Sequence, residues 1–145
     1  MYHKHRMDKD LFRFVERCIR NYHLNLADLN NRREYMRGLA TKSPSDFSDT
    51  FKIEGGEDVP ILQRWVEALD RDDEIKRLEC LTNPITDFLS MLADDDRKLI
   101  EMRYFQDCSW SRIAETLHVS VDTARRGWRG RLIFKAAQMI FGRLV

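Results

Sequence analysis

Little in these 145 residues cross-links or punctuates the chain: there are three cysteines, three prolines and six glycines. Cys18, Cys80 and Cys108 are odd in number and widely spaced, which excludes a closed disulfide framework and fits no zinc-ligand spacing. Buried free thiols in a reducing cytoplasm are therefore expected. No apolar run approaches the roughly 18–20 residues that span a bilayer, and no apolar stretch follows His3, Lys4, His5 and Arg6. A cytoplasmic protein with no membrane contact is expected. Glycine-rich phosphate loops, internal repeats and low-complexity tracts are absent as well.

The four histidines, His3, His5, His23 and His118, stand in no local signature of a nucleophile with a base and an orienting group. The chain is accordingly read as not an enzyme and as needing no cofactor. His3 and His5 lack the further ligands of a stable metal site. Asp94, Asp95 and Asp96 suit a helix start, where carboxylates complement the helix dipole, better than a cation site.

What the chain does have is 43% hydrophobic and 34% charged residues, the balance of a compact, helix-rich protein. Its net charge of +1 is unevenly distributed. Residues 1–40 carry nine basic and five acidic groups (+4), residues 41–96 six and fifteen (−9), and residues 97–145 ten and four (+6). The basic end suits a polyanion, and the acidic middle either pairs with basic parts of the same chain or presents a partner surface.

Apolar residues set the organisation. Leu11, Val15, Cys18, Tyr22, Leu26, Leu29 and Met36 recur at three- and four-residue steps, widened by Phe14 and Ile19. This predicts one long helix over residues 1–40, or two helices broken near His23 to Asn25. Residues 41–58 read as a loop or linker, with Phe47, Phe51 and Ile53 able to pin it. Residues 59–82 resume the helical pattern through Leu62, Trp65, Val66, Leu69, Leu78 and Leu81, with Glu67–Arg71, Asp72–Lys76 and Asp73–Arg77 spaced to pair. Pro84, after Asn83, is expected in the first turn of a new helix carrying Ile85, Phe88, Leu89, Met91 and Leu92. The stripe of the first helix and that of residues 59–81 can cover each other within one chain or between two. In the second case a homodimer would read paired DNA half-sites.

The C-terminal segment is the most informative. Ser109 is placed to cap a helix from Trp110 to Leu117, with Ile113, Ala114 and Leu117 on one face. His118, Val119 and Ser120 form a break too short for a strand, and Ser120 can cap a second helix beginning at Val121. Ala114 permits close approach of the two helices, and Val119 would plug the angle. On the second helix Val121, Ala124, Trp128 and Leu132 are expected to face inward, and Asp122, Arg125, Arg126 and Arg129 outward. Trp110 and Trp128 are core residues by phase. An outward arginine stripe suits the major groove, where guanidinium donates two parallel bonds to guanine or binds phosphate.

Residues 94–142 resemble region 4 of the bacterial sigma-70 family, which recognises the promoter −35 element. The matching residues are Asp95, Asp96 and Arg97, then Leu99, Ile100, Met102, Arg103, Tyr104 and Phe105 as a supporting helix, followed by Trp110, Ile113, Ala114, Leu117, Val119, Ser120, Thr123 and Ala124. Two positions depart from that pattern. His118 stands where the family usually has glycine, and its β-carbon is strained if its φ is positive; Gly127 lies inside the second helix. A second, promoter-melting region is not evident, and in length and arrangement the chain resembles phage and prophage late-gene regulators of the ArpU and RinA type.

The expected fold is thus all-α: an N-terminal long helix or helical hairpin, then a helix-turn-helix domain over residues 83–145. The expected function is sequence-specific double-stranded DNA binding in transcription regulation, as a phage late-gene activator. Ser120, Val121, Asp122, Arg125, Arg126 and Arg129 are expected nearest DNA, with Arg125 or Arg126 reading guanine, Asp122 accepting from cytosine, and Arg112, Arg131 and Lys135 on phosphate. The resemblance implies a second surface for RNA polymerase or a sigma factor. Two other readings are open: a polymerase- or sigma-docking protein without DNA binding, and a DNA-packaging adaptor like a phage small terminase subunit.

Overall fold

The computed structural model describes residues 7–41 and 72–142, with Gln63 and Glu67 between them. All regular structure among the described residues is helical, so the chain is all-α. The expected linker beyond Thr41, the residues Phe47, Phe51, Ile53, Leu62, Trp65, Val66 and Leu69, Arg71 of the expected Glu67–Arg71 pair and the His3–Arg6 terminus lie outside the described residues. None of the described helices is long and apolar enough to cross a membrane.

The chain divides into two compact units, residues 1–23 with 80–145, and residues 24–79. Helix α1 is Lys9–Arg20, started by Asp8, whose carboxylate accepts from the Asp10 amide. Helix α2 is Tyr22–Thr41. The N-terminal stripe is therefore broken, but at Asn21 and not at His23–Asn25. Asn21 leaves helical geometry with φ −91° and ψ 6°. The earlier break accompanies the burial of Tyr22, whose hydroxyl lies 2.7 Å from Thr86 Oγ1.

Helix α3 is Asp73–Ser90. Its first turn is capped by non-helical Asp72, whose carboxylate accepts from the Ile75 amide at 2.9 Å, so the helical stretch expected over 59–82 does not run unbroken through Asp72. Nor does a new helix begin at Pro84, which lies inside α3. Ile75, Leu78, Thr82, Ile85, Phe88 and Leu92 continue one buried stripe at three- and four-residue steps past the proline. Packing along that stripe outweighs the one amide proline removes. Arg77 pairs with Glu74 and not with Asp73.

In the unit of residues 24–79, Leu29, Ile75 and Leu78 form a small core with Met36 packed on it. Its polar edge is held by Arg32, whose Nε and Nη2 donate to Asp72 Oδ2 at 3.1 and 2.7 Å, and by Arg33, which pairs with Glu79 at 2.9 Å. The Arg32 guanidinium holds the Asp72 carboxyl below its usual range, assisted by the Ile75 amide.

In the other unit, α4 (Asp94–Ile100) begins with three aspartates and continues into a π-helical turn, Glu101–Phe105. Arg97 ties α4 back to the end of α3 by donating to the carbonyls of Leu89 and Leu92. Helix α5 is Trp110–Leu117; after a short turn, a helix begins at Val121, passes through a π-helical segment, Thr123–Trp128, and continues as α6, Arg129–Phe141. The buried faces of α4 to α6 supply Leu99, Ile100, Ile113, Leu132, Ile133, Ala136 and Ala137. Helix α1 packs on α6 and on the Glu101–Phe105 turn, contributing Val15 and Ile19, both fully buried. Of the cysteines, Cys18 is buried as expected and burial pushes its thiol pKa up, whereas Cys80 is exposed and Cys108 half-buried. Cys80 lies off the buried stripe of α3, which accounts for that difference.

Candidate nucleic-acid interface

The two helices that flank residues 118–120, and the turn between them, are built by local bonds from side chains already visible in the sequence. Ser109 Oγ accepts from the Arg112 amide at 3.3 Å and starts α5. At the other end the Val119 amide donates to the Ala114 carbonyl at 3.1 Å and the His118 amide to that of Glu115 at 3.3 Å. This reciprocal pair closes a helix by sending the next residue left-handed. That residue is His118, with φ 56° and ψ 42°, so a β-carbon occupies the position glycine ordinarily fills.

Ser120 Oγ accepts from the Thr123 amide at 3.0 Å and donates to Thr123 Oγ1 at 2.7 Å, capping the second helix. Ala114 and Ala124 are 3% and 0% exposed, and the two helices that carry them pack on each other. Val119 is half-buried in the angle.

The expected site residues fall into two sets. Ser120, Val121, Asp122, Arg125 and Arg126 are all exposed on the first turns of the second helix, and Arg112 is exposed on α5. Arg126 Nε lies 3.1 Å from Asp122 Oδ1, with both side chains at least three-quarters exposed. Arg112 and Arg125 have no ion-pair partner among the described residues. Val121 was expected to face inward, but it is 41% exposed.

Arg129 behaves differently. It was expected to point outward, yet its Nε and Nη2 donate to Glu16 of α1 at 3.2 and 2.9 Å, and its guanidinium lies over the rings of Phe12 and Trp110. Burial opposes the charge, but the Glu16 carboxylate outweighs it and raises the Arg129 pKa. Tyr104 joins the same cluster by donating to Glu16 Oε2 at 2.6 Å; its hydroxyl pKa is raised, first by burial and then by that carboxylate. The cause of the reversal is the π-helical segment. Its wider turn absorbs one extra residue, so those that follow face as their predecessors would in an unbroken α-helix. Arg129 thereby takes the inward orientation that strict α-periodicity assigns to Trp128. Its spacing from Leu132, Ile133 and Ala136 is a sequence signal for this inward phase. The partnership with Glu16 has no such signal.

Arg131, expected on phosphate, makes two bonds to Asp96, at 2.7 and 3.2 Å, and this pairing raises its pKa. Lys135 is half-buried on α6. Gly127 sits in the exposed part of the π segment, and a β-carbon there would meet nothing within 4 Å, so no backbone of the chain requires the glycine.

The usable surface is therefore compact: a capped helix start carrying Ser120, Val121, Asp122, Arg125 and Arg126, with Arg112 beside it. Unpaired guanidinium groups on such a surface can bind phosphate oxygens or guanine edges. No curated protein and no solved structure matches the chain. A family model matches residues 57–136, more than half of the chain and the whole of this surface, and the chain belongs to that family, described as protein of unknown function (DUF722).

Proposed function

We propose that the chain is a sequence-specific double-stranded DNA-binding transcription regulator that lays residues 120–126 in the major groove. The observation that carries this reading is the pairing state of its arginines: around a capped helix start Arg112 and Arg125 have no ion-pair partner among the described residues, while Arg129 and Arg131 are held internally. Exposed arginine held on a rigid element suits base-edge and phosphate contacts. The resemblance to sigma-70 region 4 further implies action with RNA polymerase, in the manner of a phage late-gene activator.

The test is fluorescence anisotropy on DNA selected from a random pool, over a series of salt concentrations, beside a variant with Arg125 and Arg126 changed to alanine. Selective binding that the variant loses supports the reading; equal binding to selected and scrambled DNA at every salt concentration overturns it.

A polymerase- or sigma-docking protein without DNA binding is the second reading, favoured by the internal commitment of Arg129 and Arg131. Under that reading, capture of polymerase survives neutralisation of Arg112, Arg125 and Arg126, and no DNA sequence is selected.

A further inference from the structure

Asp122 and Arg126 occupy successive turns of the second helix, and the carboxylate comes nearest the guanidinium at Nε, 3.1 Å away. Among the described residues Arg126 pairs with no carboxylate other than Asp122, and its side chain is 80% exposed. Arg125, next to it, has no carboxylate partner among the described residues. Resting on the proposal that this helix reads DNA, we infer that Asp122 is a positioning residue: it holds Arg126 so that the terminal nitrogens present themselves together to one guanine, while Arg125 serves the backbone.

The chemistry favours this over a direct contact between Asp122 and cytosine. Guanine offers O6 and N7 side by side in the major groove, and a guanidinium matches them with two parallel donors. A long arginine side chain loses much rotamer freedom when it adopts that pose. A carboxylate on Nε restricts the side chain in advance and leaves the two terminal nitrogens free to donate. It also places negative charge in the first helical turn, where the helix dipole tolerates it, so the positioning group sits there without destabilising the helix. An exposed pair of this kind adds little to folding, so its value lies in orientation. With its charge turned toward Arg126, Asp122 is a poor acceptor for a separate base, and close to phosphate it would be repelled unless paired.

The experiment is a double-mutant cycle on the DNA sequence selected by the full chain, read as affinity for that site and for variants with each guanine replaced in turn. Asp122→Ala should weaken binding about three- to tenfold and flatten the preference at a single guanine. In an Arg126→Ala background, Asp122→Ala should have no further effect on that preference. Unfolding curves of all variants exclude loss of the helix as the cause. Additive losses at two different base pairs would overturn the inference and make Asp122 a direct reader. Full guanine preference in Asp122→Ala would also overturn it. Failure of the wild-type chain to select any sequence would instead sink the underlying DNA-reading proposal, which separates the two.

Discussion

Glu16 and Arg129 are 113 positions apart in sequence, yet two guanidinium nitrogens of the one rest on the carboxylate oxygens of the other at 2.9 and 3.2 Å. Tyr104 shares the same carboxylate. Removing either charge leaves its partner half-buried and unpaired, which costs more than the pair itself contributes. Glu16→Ala and Arg129→Ala should each lower stability by about 1–3 kcal/mol in urea unfolding. Arg125→Ala, on an open face, should stay within about 0.5 kcal/mol of the wild type. Equal stability of Arg125→Ala and Arg129→Ala would contradict the division drawn between these two arginines.

The DNA-facing reading makes a separate claim about salt. Arg112→Ala should weaken binding to all sequences alike and reduce the slope of log affinity against log salt by about one. Arg131→Ala, whose guanidinium is already neutralised by Asp96, should change that slope less and lower stability instead. Titrations at four or five salt concentrations distinguish the two.

His118 holds a left-handed backbone with a β-carbon. His118→Gly should stabilise the protein by about 0.5–1 kcal/mol, the part of the left-handed penalty that outlasts glycine's greater entropy in the unfolded chain. A drop in melting temperature for this variant would show that the imidazole contributes something the turn itself does not require.

Thr82 is fully buried within α3, and its hydroxyl has no hydrogen-bond partner among the described residues. Thr82→Val keeps the shape and removes the unsatisfied group, so it should raise stability by about 1 kcal/mol in chemical unfolding. Destabilisation would mean that the hydroxyl is satisfied after all, by ordered water.

Asp72 gives the pH dependence. Its carboxyl pKa is lowered in the folded chain by Arg32, so the folded state favours the charged form more than the unfolded state does. The stability this adds is fully present above the unfolded carboxyl value of about 3.9 and disappears as pH falls through the lower folded value. Glu74, lowered by Arg77, acts in the same direction. Asp72→Asn should therefore be less stable than wild type at neutral pH, and the gap should close in acid. A gap independent of pH would show that neither Arg32 nor the Ile75 amide draws its stabilising effect from the charge of Asp72.

The parts of the interface legible in sequence were those set by bonds between near neighbours. Ser109 and Ser120 cap the helices they were expected to cap, and Ala114 is buried. Where the expectation went astray, a longer-range force had outweighed the local signal. Pro84 reads as a helix start, but a continuous buried stripe carries α3 through it. Arg129 was phased for an unbroken α-helix, and the π-helical segment shifts the register after Thr123; Val121 lies before that segment and is exposed on the first helical turn. Glu16 sits in a different part of the sequence from everything it holds, and periodicity carries no information about such a partner.

The packing of α1 on α6 makes the unit that carries the proposed reading surface discontinuous: it is completed only when residues 7–23 meet residues from 80 onward. During synthesis α1 emerges first and must wait, its face of Val15, Cys18 and Ile19 uncovered, until α6 has left the ribosome. A fragment cut at the family match, residues 57–136, would carry every proposed base-reading side chain and yet lack both Glu16 and the helix that seals its core. For this architecture the smallest piece that carries the proposed reading surface and the smallest piece that folds are different pieces.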